Sequence, residues 1–236
     1  MSRMFVVPGL GGPQVMKTWN VFVGCRFGCR YCNARKLAEG RLRNVPRYQG
    51  GFDSPHLVKE ELGRKFSPRD FVFAAYMGDI SFASPAEVQL ILNCVWNQPD
   101  TRFLFCTKDP SVYTSWGLEY PPNLYLGATI ETNFDYGLTL APKPAWRHKA
   151  MKSLTHPHKF ISIEPLMDFH LRTMLDWMKD IGPEIIEVGG DNYRNGLPEP
   201  AEHQRWKVRL LLEELKKISP VVVEKVGLER LTGGHL

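Results

Sequence analysis

The amino-acid sequence predicts an α/β fold. A partial (β/α) barrel of about six parallel strands with outer helices, plus one further strand at the C-terminal end, is expected, with a full barrel or an open doubly wound sheet as the alternatives. Three observations carry this. Short runs dominated by Val, Ile, Phe, Tyr and Leu recur along the chain, each with the near-continuous apolar character of a strand buried on both faces. Longer amphipathic runs separate them, and that alternation implies parallel strands joined by right-handed helical crossovers. No internal repeat, low-complexity tract or domain linker interrupts the pattern, so residues 1–236 read as one domain with its core over about 17–192.

Taken in order, the expected strands are Thr18–Val23, Phe71–Met77, Arg102–Thr107, Asn123–Thr129, Lys159–Ile163, Ile185–Val188 and Val221–Lys225. Helices are expected over Tyr31–Glu39, Pro55–Lys65, Pro85–Asn97, Trp146–Leu154, His170–Lys179 and Ala201–Ile218. The Pro85–Asn97 helix has Ser84 at the N-cap and Glu87 at N3. In that capping-box pattern each side chain satisfies the other residue's backbone N–H. Val88, Leu90, Ile91, Leu92 and Val95 give it an apolar face to pack on a sheet. Gly182-Pro183 stops one later helix and Pro220 follows another. The connection from Gly40 to Ser54, rich in Gly, Arg and Pro, reads as a surface excursion.

Hydrophobic residues make up 43% of the chain and charged residues 23%, which excludes a disordered protein. Lys plus Arg number 30 and Asp plus Glu 25, a net charge of +5. That is too modest for a tail-type nucleic-acid binder but compatible with a basic face for phosphates. No apolar run reaches the roughly 18 residues of a membrane helix. Residues 1–13 lack the layout of a signal peptide, so a cytoplasmic location is expected, with no membrane partner. An odd count of five cysteines in such a chain argues against a disulfide framework.

Three of those cysteines stand together. The first strand runs through Gly24 into Cys25-Arg26-Phe27-Gly28-Cys29-Arg30-Tyr31-Cys32, a C-x3-C-x2-C spacing at the hand-over to the first helix. Thiolates hold iron–sulfur clusters, and three ligands on a four-iron cluster leave one iron open. Gly24 and Gly28 let the backbone curl tightly there. A zinc site is the rival, with His56, Cys94 or Cys106 as fourth ligand. Purely structural cysteines are the third alternative.

With Tyr31 directly before the third cysteine, this loop resembles the signature of radical S-adenosylmethionine (SAM) enzymes. The chain also resembles, more narrowly, the phage-associated three-cysteine-motif family of radical-SAM-like proteins. That likeness is carried by Thr18-Trp19-Asn20, Met77-Gly78-Asp79, Cys106-Thr107-Lys108, the segment from Leu126 to Glu131, Ser162-Ile163-Glu164-Pro165-Leu166 and Val188-Gly189-Gly190-Asp191. It departs from the family at Cys106, where an apolar residue is commoner, and at Asp191, where Glu is frequent. The resemblance implies that Cys25, Cys29 and Cys32 bind a [4Fe–4S] cluster. The open iron would then chelate S-adenosylmethionine, whose reductive cleavage gives a 5′-deoxyadenosyl radical that abstracts hydrogen from a substrate. It implies an adenine contact from Tyr31 and an ammonium contact from Gly78 and Asp79.

In a parallel barrel, polar residues just past strands are site candidates. Thr129 and Glu131 alternate onto one side of an extended chain, where Glu131 suits ribose hydroxyls. Glu164, before Pro165, and Asp191, after Gly189-Gly190, end later strands. The bland alternatives are that Tyr31 packs the helix start, that Asp79 caps a turn, and that Lys108 is solvated. The expected partners are an external one-electron donor, a nucleic-acid substrate and a partner protein that completes the pocket. Nucleic acid is suggested by Arg26, Arg30, Arg35, Arg41, Arg43 and Arg47 interleaved with Phe27, Tyr31 and Tyr48. A second basic stretch, Lys143–His158 with Trp146, reads as a surface helix. The alternative function is a non-catalytic zinc- or cluster-stabilised module that binds nucleic acid or protein.

Overall fold

The computed structural model describes residues 6–7 and 14–234. The reading of residues 1–13 as lacking a signal peptide falls almost wholly outside them. In chain order the first elements are β1 (Val6–Val7), β2 (Gln14–Trp19), β3 (Phe22–Val23), α1 (Asn33–Glu39), β4 (His56–Leu57) and β5 (Phe71–Ala74). α2 (Pro85–Trp96), β6 (Arg102–Thr107), α3 (Val112–Ser115), β7 (Leu124–Thr129), α4 (Pro144–Ser153) and β8 (Lys159–Ile163) follow. The chain continues with α5 (Leu171–Ile181), β9 (Ile185–Val188), α6 (Arg205–Ile218), β10 (Val221–Glu224) and α7 (Glu229–Thr232).

The main sheet runs in the order β1-β2-β5-β6-β7-β8-β9-β10. β2 and the strands after it are parallel, while β1 pairs antiparallel with β2. Each new strand joins on the same side of the last, so the order never reverses. Right-handed crossovers then put the helices on one face and curl the sheet into a half-open barrel, as the alternation predicts. The face under the helices is largely apolar. It includes Val72, Ala74, Phe103, Phe105, Leu126, Ile161, Ile163, Ile186 and Val188, packed against Ile91, Met151, Met174 and Leu211. The α2 capping box is present, with Ser84 accepting from Glu87 N and Glu87 accepting from Ser84 N.

Two local expectations are corrected. Pro55–Lys65 is not a helix: His56 and Leu57 pair antiparallel with Val23 and Phe22, and only Lys59–Glu61 turns, as a 3-10 helix. Long-range pairing overrides the local preference there, and Trp19 Nε1 donates to Glu61 O at 2.9 Å. The expected strand Thr18–Val23 is broken at Asn20, whose side chain accepts from Met77 N at 3.1 Å. Among the described residues no helix is long and apolar enough to cross a membrane.

Candidate functional site

Strand alternation sends a second set of side chains to the concave face. Its floor is apolar: Met16, Phe71, Leu104, Tyr125, Phe160, Ile185 and Val223 pack as one cluster. Toward the carboxyl ends of the strands the same face turns polar. Thr18, Cys106, Thr129, Ser162 and Glu187 form a layer, and Lys108, Glu131, Glu164 and Lys225 follow at the rim. Thr18, Cys106, Thr129, Glu164 and Lys225 are partly exposed, so the concavity opens to solvent on this side.

Glu131, just past β7, is buried in a charged network. It accepts from Lys108 Nζ at 2.8 Å, from Arg147 Nη1 at 2.7 Å and from the Tyr31 hydroxyl. Burial pushes its carboxyl up, but the Lys108 and Arg147 cations outweigh that and hold it down at about 2. The Tyr31 hydroxyl is pushed up, by burial first and then by the Glu131 charge. Arg147 is 1% exposed and also bonds Pro142 O and Thr129 O. It thus corrects the reading of Lys143–His158 as a plain surface helix. The signal was its spacing: Pro144, Arg147 and Met151 share the buried stripe of α4. A crevice beside this network is lined by Tyr31, Glu131, Phe134, Tyr136 and Arg147.

The opposite side of the mouth holds a second network. Glu164 pairs closely with Lys225, and Glu187 lies on β9 with one oxygen accepting from the Ser162 hydroxyl. Among the described residues Glu187 Oε2 has no hydrogen-bond partner, and it lies 3.6 Å from Lys225 Nζ. Burial raises the Glu187 carboxyl to about 7, against the pull of Lys225. Sequence reasoning missed Glu187, although an acid inside the apolar run Ile185–Val188 was a readable signal. Its environment and that of Glu131 drive two carboxyls apart. Glu131 is ionised at neutral pH, and Glu187 exchanges a proton near neutrality.

The remaining expected site residues are engaged within the protein. Asp79 accepts from the Thr107 and Ser81 hydroxyls, Ser81 N and Lys108 N, so it caps the following 3-10 turn and ties it to β6. A Cβ on Gly78 would meet Gly24 O at 2.8 Å and Gly24 N at 2.9 Å, so the backbone that approaches Gly78 is the protein's own. Asp191 accepts from Tyr193 N and from Asn195, closing a local turn. The Thr129 hydroxyl lies 3.8 Å from Cys106 Sγ on the concave face.

The cysteine loop does not fit a cluster. Cys29 Sγ donates to Thr139 Oγ1 at 3.1 Å, Cys25 Sγ accepts from Phe27 N at 3.4 Å, and Cys32 Sγ caps α1 through Arg35 N at 3.3 Å. Burial pushes the Cys25 and Cys32 thiols up. The zinc alternatives are likewise separate: His56 contacts Ser54 O, Cys94 bonds Leu62 O, and Cys106 contacts Thr129. Among the described residues no group of three or more His, Cys, Asp or Glu side chains is placed to hold a metal ion. The expectations of a [4Fe–4S] cluster on Cys25, Cys29 and Cys32, of S-adenosylmethionine bound to it, of radical SAM catalysis and of a metal-stabilised module are corrected on that ground.

Around the mouth the loops are basic. Arg26, Arg30, Lys36 and Arg194 are exposed, and Lys36 reaches Asn195, bringing α1 beside the loop after β9. The 133–143 segment seals the other side, with Arg30 N donating to Leu138 O and Leu140 N to Phe27 O. Tyr76 and Tyr193 are exposed aromatic faces at the same end. Arg35 and Arg47 are instead engaged by Asp53 and Glu61. A family model described as "Protein of unknown function (DUF5131)" matches residues 14–210, and no curated protein matches the chain. The family match is therefore to that family. Membership of the radical SAM superfamily and of the narrower three-cysteine-motif family is corrected.

Proposed function

The chain belongs to the DUF5131 family, and from the chemistry of its own mouth we propose that it binds single-stranded nucleic acid across the carboxyl-end rim of the curled sheet. The observation that carries this is the pairing of exposed cations with exposed aromatic faces around one polar concavity. Arg26, Arg30, Lys36 and Arg194 suit the phosphates of a strand, and Tyr76 and Tyr193 suit its bases. The sheet's apolar floor closes the site from below, so a ligand enters from the rim. All five cysteines are free thiols, which accords with a cytoplasmic location for such a binder.

The test is fluorescence anisotropy with a labelled single-stranded oligonucleotide at several salt concentrations. Binding is expected to weaken steeply with salt. Converting Arg26, Arg30 and Arg194 together to Ala should flatten the log–log slope by about 2, at roughly 0.7 for each phosphate contact on a single strand. Absence of binding, or binding indifferent to salt, overturns the proposal. A partner protein is a second reading, favoured by one observation. Trp146 stands exposed at a hollow of about 370 Å³ lined by Pro110, Pro142, Trp146 and Ala150.

A further inference from the structure

We propose that Glu187 selects the base: its Oε2 accepts a hydrogen bond from the exocyclic amino group of a nucleobase seated against Tyr76 and Tyr193, a step that rests on the nucleic-acid reading above. The geometry leaves this one acceptor incomplete. Glu187 is 5% exposed, its other oxygen is filled by the Ser162 hydroxyl, and among the described residues Oε2 has no hydrogen-bond donor. A buried carboxylate oxygen without a donor is costly, and a ligand that brings one recovers that cost on binding.

The groups facing Glu187 come from several elements. β8 supplies Ser162, the segment just after it Glu164, the end of β10 Lys225, β6 Cys106, and the turn after β5 Tyr76. Lys225 is in ionic contact at 3.6 Å, beyond hydrogen-bond reach, because its close partner is Glu164. Among the described residues two carboxylates, Glu164 and Glu187, face the Lys225 ammonium, and Glu187 Oε2 is left short of a donor. Arg26, Arg30 and Arg194 are exposed cations at the mouth. A neutral N–H on an anionic backbone satisfies both halves of the site. Cytosine N4 is such a donor, and carboxylates are its usual acceptors.

Acceptance from an amino group requires ionised Glu187, so the preference for an amino-bearing base grows as pH rises through about 7. The experiment compares labelled oligo(C) and oligo(U) of equal length by anisotropy between pH 5.5 and 8.5, using the full chain. Roughly tenfold tighter binding of oligo(C) is expected at the upper end, fading at the lower end. Glu187→Gln should flatten that pH dependence. The wild-type profile alone decides the matter if that variant is misfolded. Equal affinity for the two oligonucleotides at every pH overturns the inference and leaves the nucleic-acid reading standing, whereas binding of neither overturns both.

Discussion

Replacing Glu187 by Gln is expected to stabilise the fold at neutral and alkaline pH and to leave the acid side unaffected. Glu187 is buried at 5% exposure, and its carboxyl is raised from the ordinary 4.5 to about 7. The folded chain therefore holds its proton more tightly than the unfolded chain does. The corresponding stability is present in full below pH 4.5, drains away as pH rises, and is gone above about 7. At roughly 1.36 kcal/mol for each pH unit, the interval amounts to about 3 kcal/mol. Gln keeps the side-chain length and the Ser162 contact but carries no proton to lose. The variant's advantage over wild type should thus grow by up to about 3 kcal/mol between pH 4.5 and 7.5 and then level off. Urea unfolding followed by tryptophan fluorescence across pH 4–9 reads it directly. A difference between variant and wild type that is the same at pH 4 and pH 9 would refute the reasoning.

Other consequences are independent of this one. Glu131→Gln leaves the buried Arg147 and its neighbour Lys108 without their carboxylate and should cost about 3–5 kcal/mol in chemical unfolding. In wild type the Glu131 contribution should be lost as pH falls from 4.5 toward about 2, visible as an acid limb in thermal melts. Gly78→Ala drives a Cβ into the Gly24 backbone, and a loss of about 1–3 kcal/mol is expected; a neutral result would show that the two strand ends are less closely apposed. Ser84→Ala removes half of the α2 capping box and should lower stability by about 1 kcal/mol. With the cysteine sulfurs turned to separate partners, anaerobic incubation with iron and sulfide should leave no iron on the purified protein. Retention of about four irons per chain, lost in Cys29→Ala, would reverse the correction made for that loop.

The sequence by itself determined the strand–helix alternation and hence the curled parallel sheet. Continuous apolar runs such as Arg102–Thr107 and Lys159–Ile163 are fixed by local composition and recur with unchanged bounds. It also located the polar strand ends, because an acid such as Glu131 or Glu164 after a buried strand stands out in one dimension. What those residues face was decided only in three dimensions. Glu131 meets Arg147 across 16 positions, and Glu164 meets Lys225 across 61. Whether Cys25, Cys29 and Cys32 share a ligand or turn to different neighbours is likewise a matter of side-chain direction, which spacing along the chain does not encode. Periodicity is a property of neighbours in sequence, whereas charge compensation depends on whichever side chains the closed sheet brings together.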